Sequence, residues 1–158
     1  MKVSENLVIG FHDRPEYSGL INLKRKRIDE HSKELVHQFD IRTPSIDVSV
    51  ATLSGGNQQK LVLARELSRR PEFLLVSQPT RGLDVGAIEY VHAQILEMRK
   101  RQVAILLISL ELEEIFALSD RILVLFEGRI VKELIPEETS EEEVGLSMAG
   151  GGQGVQSA

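Results

Sequence analysis

Alternation between amphipathic helical segments and short apolar runs constrains the fold of this chain most strongly, and it extends from Leu53 to Leu134. The runs 72–76 (EFLLV) and 103–109 (VAILLIS) have the length and composition of buried parallel strands. Helices are predicted before, between and after them, over 57–69, 87–101 and 111–119. Such strand–helix–strand order is typical of a parallel sheet covered by helices, so the predicted fold class is α/β.

The segments flanking this alternation are simpler. Apolar runs on either side of Glu127-Gly128 predict a β-hairpin. Ser140 and Glu143 have the spacing of a capping box at the start of an acidic helix. The glycine-rich end, GGGQGVQSA, is expected to be disordered. Near the N-terminus, a short helix over 4–11 and an amphipathic helix over 24–39 are predicted.

Composition excludes several classes of protein. A net charge of -5 disfavours a nucleic-acid binder, and the absence of cysteine excludes disulfides and thiolate metal sites. The apolar runs are too short to cross a bilayer and no signal peptide is visible, which predicts a soluble protein that meets membranes only through a partner. No metal site is expected, because the histidines lack ligand-like spacing (His12, His31, His37 and His92).

The segment LSGGNQQK, residues 53–60, carries the strongest chemical signal. Ser54, Gly55 and Gly56 stand where a loop enters a predicted helix. A helix N-terminus offers unpaired N–H groups and the positive end of a dipole, and glycine lets a phosphate approach the backbone. For the three residues SGG alone, a serine N-cap followed by a flexible Gly-Gly turn is the favoured interpretation, and the octapeptide in its context changes that balance.

In its context, this segment resembles the signature motif of the ATP-binding cassette (ABC) ATPases that power membrane transporters. FLLVSQPTRGLDVGA, residues 73–87, is similar to their Walker B strand and D-loop, and residues 106–131 resemble their switch segment and following strands. The resemblance covers roughly residues 1–149. QPTRGLDVGA and the asparagine in the signature are most similar to the second half of duplicated ATPases that serve importers of simple sugars and nucleosides.

The resemblance implies an incomplete P-loop NTPase domain. It has a parallel sheet covered by helices, a helical-subdomain segment and a C-terminal β-hairpin. Its three parts are the helical-subdomain segment, the ATPase core from the signature to the switch segment, and an acidic helix with its tail (1–52, 53–134 and 135–158). The implied ATP-binding residues are those of the signature (Ser54, Gly55, Gly56, Asn57 and Gln58). The implied interface residues are those of the D-loop (Gly82, Leu83 and Asp84).

Four departures from the family pattern affect one hydrolysis centre. No Gly-Lys pair occurs in these 158 residues, so the P-loop motif G-x-x-x-x-G-K-[ST] is absent from them. Ser77 stands where the family has a Mg²⁺-binding aspartate, and Gln78 where it has a catalytic glutamate. Leu110 occupies the place of the switch histidine. We therefore expect no ATP hydrolysis by the chain alone and assign it no catalytic residue.

In this family, each ATP lies between the P-loop of one lobe and the signature of another. The resemblance thus implies that ATP with Mg²⁺ binds only in a composite site, with a P-loop-bearing lobe of the same longer polypeptide or of a separate chain. It also implies membrane-spanning permease subunits as partners and a location on the cytoplasmic face of the inner membrane. A sheet short of partners predicts self-association of the isolated chain.

Two other functions compete with this interpretation. One is a non-catalytic interaction or regulatory module that binds a partner ATPase. The other is an ATPase of the chromosome-maintenance or ribosome-associated branches, which share the signature. Long heptad arms or strongly basic segments would be expected of those branches, and the sequence has neither.

Overall fold

The computed structural model describes residues 1–19 and 22–150. The expected disorder of 151–158 therefore lies outside the described residues. Within them the chain forms two compact units. The first consists of Met1–Leu74 and Pro79–Ala104, and the second of Leu75–Gln78 and the chain from Ile105 onward. The helices and strands are α1 Val3–Val8, α2 Arg25–Gln38, α3 Gly55–Leu67, β1 Phe73–Ser77, α4 Val85–Lys100, β2 Ala104–Ile108, α5 Leu112–Leu118, β3 Ile122–Phe126, β4 Arg129–Leu134 and α6 Glu141–Met148.

Helices α1 to α4 of the first unit each bury apolar side chains, and in α4 these include Val91 and Ile95. Val3 and Leu7 of α1 and Ala64 of α3 are fully buried. The stripe predicted for α2 is present, with Ile28 and Leu35 seven residues apart on its buried face. The short helix predicted over 4–11 is confirmed, although it ends earlier, at Val8.

Strands β1 and β2 run parallel, as predicted. Near their starts the Ala104 N–H donates to the Glu72 carbonyl at 3.0 Å, and near their ends the Gln78 N–H donates to the Ile108 carbonyl at 2.8 Å. Residue numbers therefore rise together along both strands. Burial alternates along β1: Leu74 is buried, whereas Phe73 is 57% exposed. The expectation of strands buried on both faces is therefore wrong for the described residues. An apolar run does not show whether other elements pack on both faces of the strand.

The β-hairpin of the second unit is confirmed. Strands β3 and β4 pair antiparallel, from Ile122 opposite Leu134 to Phe126 opposite Arg129. Glu127 and Gly128 both have positive φ, 47° and 77°, which is the geometry of a type I′ turn. The hairpin packs on α5 and α6 through an apolar cluster (Ile122, Val124 and Val144, with Leu112, Ile115, Phe116 and Leu134).

The acidic helix α6 begins after Ser140, as predicted, and the Ser140 hydroxyl accepts from the Glu143 N–H at 3.3 Å. The reciprocal half of the capping box does not form. The Glu143 carboxylate instead accepts from Lys132 at 2.6 Å and from Thr139 at 2.7 Å. The Lys132 hydrogen bond is the main reason that the pKa of Glu143 lies below its ordinary value. Across the described part of the chain, no helix has the length and apolar character needed to traverse a bilayer.

Candidate functional site

The signature segment forms the N-terminus of α3. Ser54 has extended backbone geometry, with φ −62° and ψ 156°, and its Oγ accepts from the Asn57 N–H at 3.4 Å. It is therefore the N-cap, and the helix begins at Gly55 instead of near Asn57 as predicted. The serine cap and the open helix N-terminus, the two interpretations of this segment, describe the same geometry.

Three hydrogen-bond donors at this N-terminus lack an acceptor in the structure. Within residues 1–19 and 22–150, neither the Gly55 N–H, the Gly56 N–H nor the Ser54 hydroxyl proton is donated to any protein group. Ser54 and Gly55 are exposed, and Gly56 is half-buried. Free N–H groups at a helix N-terminus, close to the positive end of its dipole, form an arrangement suited to an anion.

Asn57 and Gln58 use their side chains within the protein. The Asn57 amide donates from Nδ2 to Ser54 Oγ at 2.9 Å and accepts at Oδ1 from the Arg42 N–H at 2.8 Å. Gln58 Nε2 donates to the Leu53 carbonyl at 2.9 Å. Both residues thus stabilise the turn that carries Ser54.

The D-loop leads into α4 in the same manner. Gly82 has φ +73°, which glycine adopts readily, and the Leu83 N–H donates to the Thr80 carbonyl at 3.1 Å. Asp84 is the N-cap of α4, and its Oδ1 accepts from the Ala87 N–H at 2.9 Å. Gly82 therefore forms the turn, and Asp84 caps the helix that follows it.

The N-termini of α3 and α4 lie side by side, which brings the signature and the D-loop together. A Cβ added to Gly56 would lie 3.1 Å from the Ala87 Cβ and 3.9 Å from Asp84 Oδ2. A Cβ added to Gly55 would meet only Leu83, at an ordinary 3.9 Å. A Cβ at position 56 would therefore be tightly packed against α4, whereas at position 55 a Cβ has room.

Residues 39–42 are hydrogen-bonded to both α3 and α4, and the sequence did not predict these contacts. Lys60 of α3 donates from Nζ to the Asp40 carbonyl at 2.9 Å and to its carboxylate at 2.8 Å. The Tyr90 hydroxyl of α4 donates to the Phe39 carbonyl at 3.0 Å, and the Lys60 ammonium lies 4.4 Å from the Tyr90 ring centroid. Together with the Arg42–Asn57 hydrogen bond, these contacts connect three of the four residues 39–42 to α3 or α4.

Charges around this cluster shift two acid–base equilibria. The hydrogen bond from Lys60, reinforced by its charge, lowers the pKa of Asp40. Burial, together with the negative charge of Asp40, raises the pKa of Tyr90 to about 12. Lys60 therefore stays paired with an ionised carboxylate at neutral pH, and Tyr90 stays protonated as a hydrogen-bond donor.

The three positions at which the sequence predicts a substituted hydrolysis centre lie in the second unit. Ser77 is exposed at the end of β1, and Gln78 has φ +49°. Leu110 is 70% exposed, just after β2. None of the three carries a carboxylate or an imidazole. In the portion of the chain that the structure describes, no three histidine, aspartate or glutamate side chains gather as a metal site.

Comparison with known proteins identifies the family. No family model matches the chain. The chain is 47% identical over 151 residues, 96% of its length, to the guanosine import ATP-binding protein NupO of Bacillus subtilis. It is 46% identical over 151 residues, again 96% of its length, to the nucleoside import ATP-binding protein NupA of Lactococcus lactis. The chain belongs to the ABC ATPase family. It spans about 30% of the length of these relatives.

Solved structures agree on the fold. A nucleotide-free ATP-binding cassette from an ABC transporter matches with a TM-score of 0.69 at 24% identity, covering 94% of this chain and 59% of that one. The ATP-binding cassette MJ0796, a dimer in a post-hydrolysis state bound to ADP and Pi, matches with a TM-score of 0.69 at 20% identity, covering 86% and 57%. The predicted α/β fold of an incomplete ABC cassette is therefore confirmed.

Proposed function

We propose that this chain supplies the signature side of a composite ATP site in an ABC importer for simple sugars or nucleosides. The observation that carries the proposal is a set of three donors at the N-terminus of α3, from Ser54, Gly55 and Gly56, for which the described residues provide no acceptor. A γ-phosphate held by the P-loop of a partner lobe would accept from them. Mg²⁺ would enter with that ATP and be held on the partner's side.

The relatives support the choice of transporter class. Their names describe import of guanosine, of nucleosides and, in Haloferax volcanii, of glucose. The corresponding partners of this chain are a P-loop-bearing lobe and membrane-spanning permease subunits, at the cytoplasmic face of the inner membrane. Gly82, Leu83 and Asp84 would meet the partner lobe, since the D-loop lies beside the signature on the first unit.

The substituted centre limits what the chain does with nucleotide. Ser77 and Gln78 cannot hold a metal through charge or act as a general base, and Leu110 cannot exchange a proton. We propose that this half of the assembly has no hydrolysis centre of its own.

The test places the chain where a P-loop is available. In NupO, the 151 matched residues are replaced by the corresponding residues of this chain, and ATP hydrolysis by the purified hybrid is measured. Ser54→Arg, which fills the site, and Gly55→Asp, which sets a carboxylate against the phosphate, should abolish hydrolysis at the site that the segment completes. Ser77→Ala is the matched control and should change the rate far less.

The ranking of these variants decides the proposal. Equal loss from Ser77→Ala and Gly55→Asp would overturn it. The 158-residue chain alone should show no Mg²⁺-dependent hydrolysis above background, and turnover that survives removal of contaminating ATPases would contradict the assignment of the substituted centre. Binding of the chain to a P-loop lobe without any effect of Ser54→Arg on hydrolysis would favour the non-catalytic interaction module.

A further inference from the structure

We infer that Asn57 is a positioning residue, which fixes the Ser54 hydroxyl as an outward hydrogen-bond donor. In this role Asn57 does not bind the phosphate itself. It holds the serine oxygen so that a proton, and not a lone pair, faces the anion. The identity of that anion as an ATP phosphate rests on the function proposed above, whereas the hydrogen-bond geometry is independent of it.

The orientation of the Asn57 amide follows from its partner on the other side. The Arg42 N–H can only donate, so the Asn57 atom 2.8 Å from it must be the accepting oxygen. The amide nitrogen then faces Ser54 Oγ at 2.9 Å, and nitrogen can only donate. The direction of the bond to Ser54 is therefore fixed by chemistry.

The Ser54 hydroxyl has one proton and two lone pairs to distribute. Asn57 occupies both lone pairs, through Nδ2 at 2.9 Å and more weakly through its backbone N–H at 3.4 Å. Among the residues that the structure covers, no group accepts the remaining proton. The hydroxyl therefore offers a donor on the exposed side of the helix N-terminus, where the Gly55 and Gly56 N–H groups are also free.

The Asn57 side chain is itself held in place. Its partner Arg42 lies two residues after Asp40, and Lys60 donates two hydrogen bonds to Asp40. Asp84, which lies near Gly56, accepts from the Ala87 N–H and caps α4. Neither carboxylate is hydrogen-bonded to Ser54 in the structure, so Asn57 controls the direction of the hydroxyl.

Asn57→Asp in the NupO hybrid tests this role, because the substitution preserves the shape of the side chain. One carboxylate oxygen still accepts from the Arg42 N–H, but the other accepts the Ser54 proton and turns it inward. We expect a loss of about tenfold or more in kcat/KM for ATP at pH 8, the value of one hydrogen bond to a charged group.

The pH profile separates this role from a merely structural one. In Asn57→Asp the bound phosphate raises the pKa of the new carboxyl, whereas the Arg42 N–H and the helix N-terminus lower it. Once the pH is low enough to protonate this carboxyl, the acid donates to Ser54 Oγ, and the activity relative to the unsubstituted hybrid should recover. Asn57→Ala, which cannot donate at any pH, should show a loss that does not change with pH.

Two controls distinguish hydrogen bonding from charge repulsion. Gln59→Glu adds the same charge on the same helix, at a side chain that is not bonded to Ser54 in the structure. It should not reproduce the acid recovery. In a Ser54→Ala background, Asn57→Asp should lose its acid recovery because no hydroxyl remains to be turned. Recovery in either control, or undiminished kcat/KM of Asn57→Asp at pH 8, would overturn the inference.

Failure of the proposed function would look different. If Ser54→Arg left hydrolysis unchanged, the proposal of a composite ATP site would be wrong. The positioning role of Asn57 can then still be tested by NMR on the 158-residue chain. In its ¹⁵N–¹H spectrum, Ser54→Ala should shift the Asn57 side-chain amide signals, and Gln59→Glu should not. An amide signal unmoved by Ser54→Ala would refute the hydrogen bond itself.

Discussion

The two glycines of the signature should respond in opposite ways to alanine. Neither has a positive φ, so alanine at either position restricts the unfolded chain and stabilises by about 0.4–1 kcal/mol where it fits. It fits at Gly55, where the nearest atom to the new Cβ is Leu83 Cδ2 at 3.9 Å. Gly55→Ala should therefore raise the free energy of unfolding by that amount.

At Gly56 the same substitution meets a rigid neighbour. The new Cβ would lie 3.1 Å from the Ala87 Cβ, closer than ordinary van der Waals contact. Ala87 is buried and its N–H is bonded to the Asp84 cap, so the α4 backbone must shift to make room. Overpacking of this kind costs about 1–3 kcal/mol, which places Gly56→Ala about 1–3 kcal/mol below Gly55→Ala in stability.

Urea unfolding of the 158-residue chain, followed by far-ultraviolet circular dichroism, measures both values. The matched control is Gly56→Ala combined with Ala87→Gly, which moves the methyl group to the other helix. The double variant should be more stable than the sum of the two single changes predicts. If Gly56→Ala stabilised the chain as much as Gly55→Ala does, the close approach of α3 and α4 would be refuted.

The remaining predictions concern the attachments of residues 39–42. The pKa of Asp40 is lowered by folding, so its contribution to stability is present above the unfolded-state pKa and is lost as the pH falls through the folded value. The difference in urea midpoint between the wild type and Asp40→Asn should therefore be largest above about pH 5 and shrink below about pH 4. Tyr90→Phe removes the hydrogen bond to Phe39 but keeps the ring near Lys60, and it should destabilise the chain by about 0.5–1.5 kcal/mol in the same assay. We expect the Tyr90 phenolate step of the wild type near pH 12 in an ultraviolet titration, and this variant should lack it.

Local sequence signals predicted most of the helices and strands. Helical periodicity located α2 and α4 because each buries one stripe, and the Glu127-Gly128 pair located the hairpin because its type I′ turn needs positive φ at both positions. The predicted start of α3, near Asn57, is too late. Glycine disfavours helices, so the sequence gives no helical signal for the first turn, which begins at Gly55.

Long-range features of the site were beyond sequence reasoning. Lys60 and Asp40 are 20 residues apart, and their pairing depends on the φ of +46° at Asp40 and on where α2 ends. The signature asparagine was predicted to bind ATP on the strength of a motif, and a motif does not state which way a side chain points. In the structure its amide links Ser54 to Arg42. Whether it also contacts nucleotide stays a prediction.

The attachments of residues 39–42 have a mechanical consequence. Phe39, Asp40 and Arg42 are tied to Tyr90, Lys60 and Asn57 respectively, so three anchors lie within four residues. A short connection with three such hydrogen bonds is expected to bend little. We expect a force on the C-terminal end of α2 to reach the start of α3 through these hydrogen bonds. The end of α2 and the start of α3 should then move together.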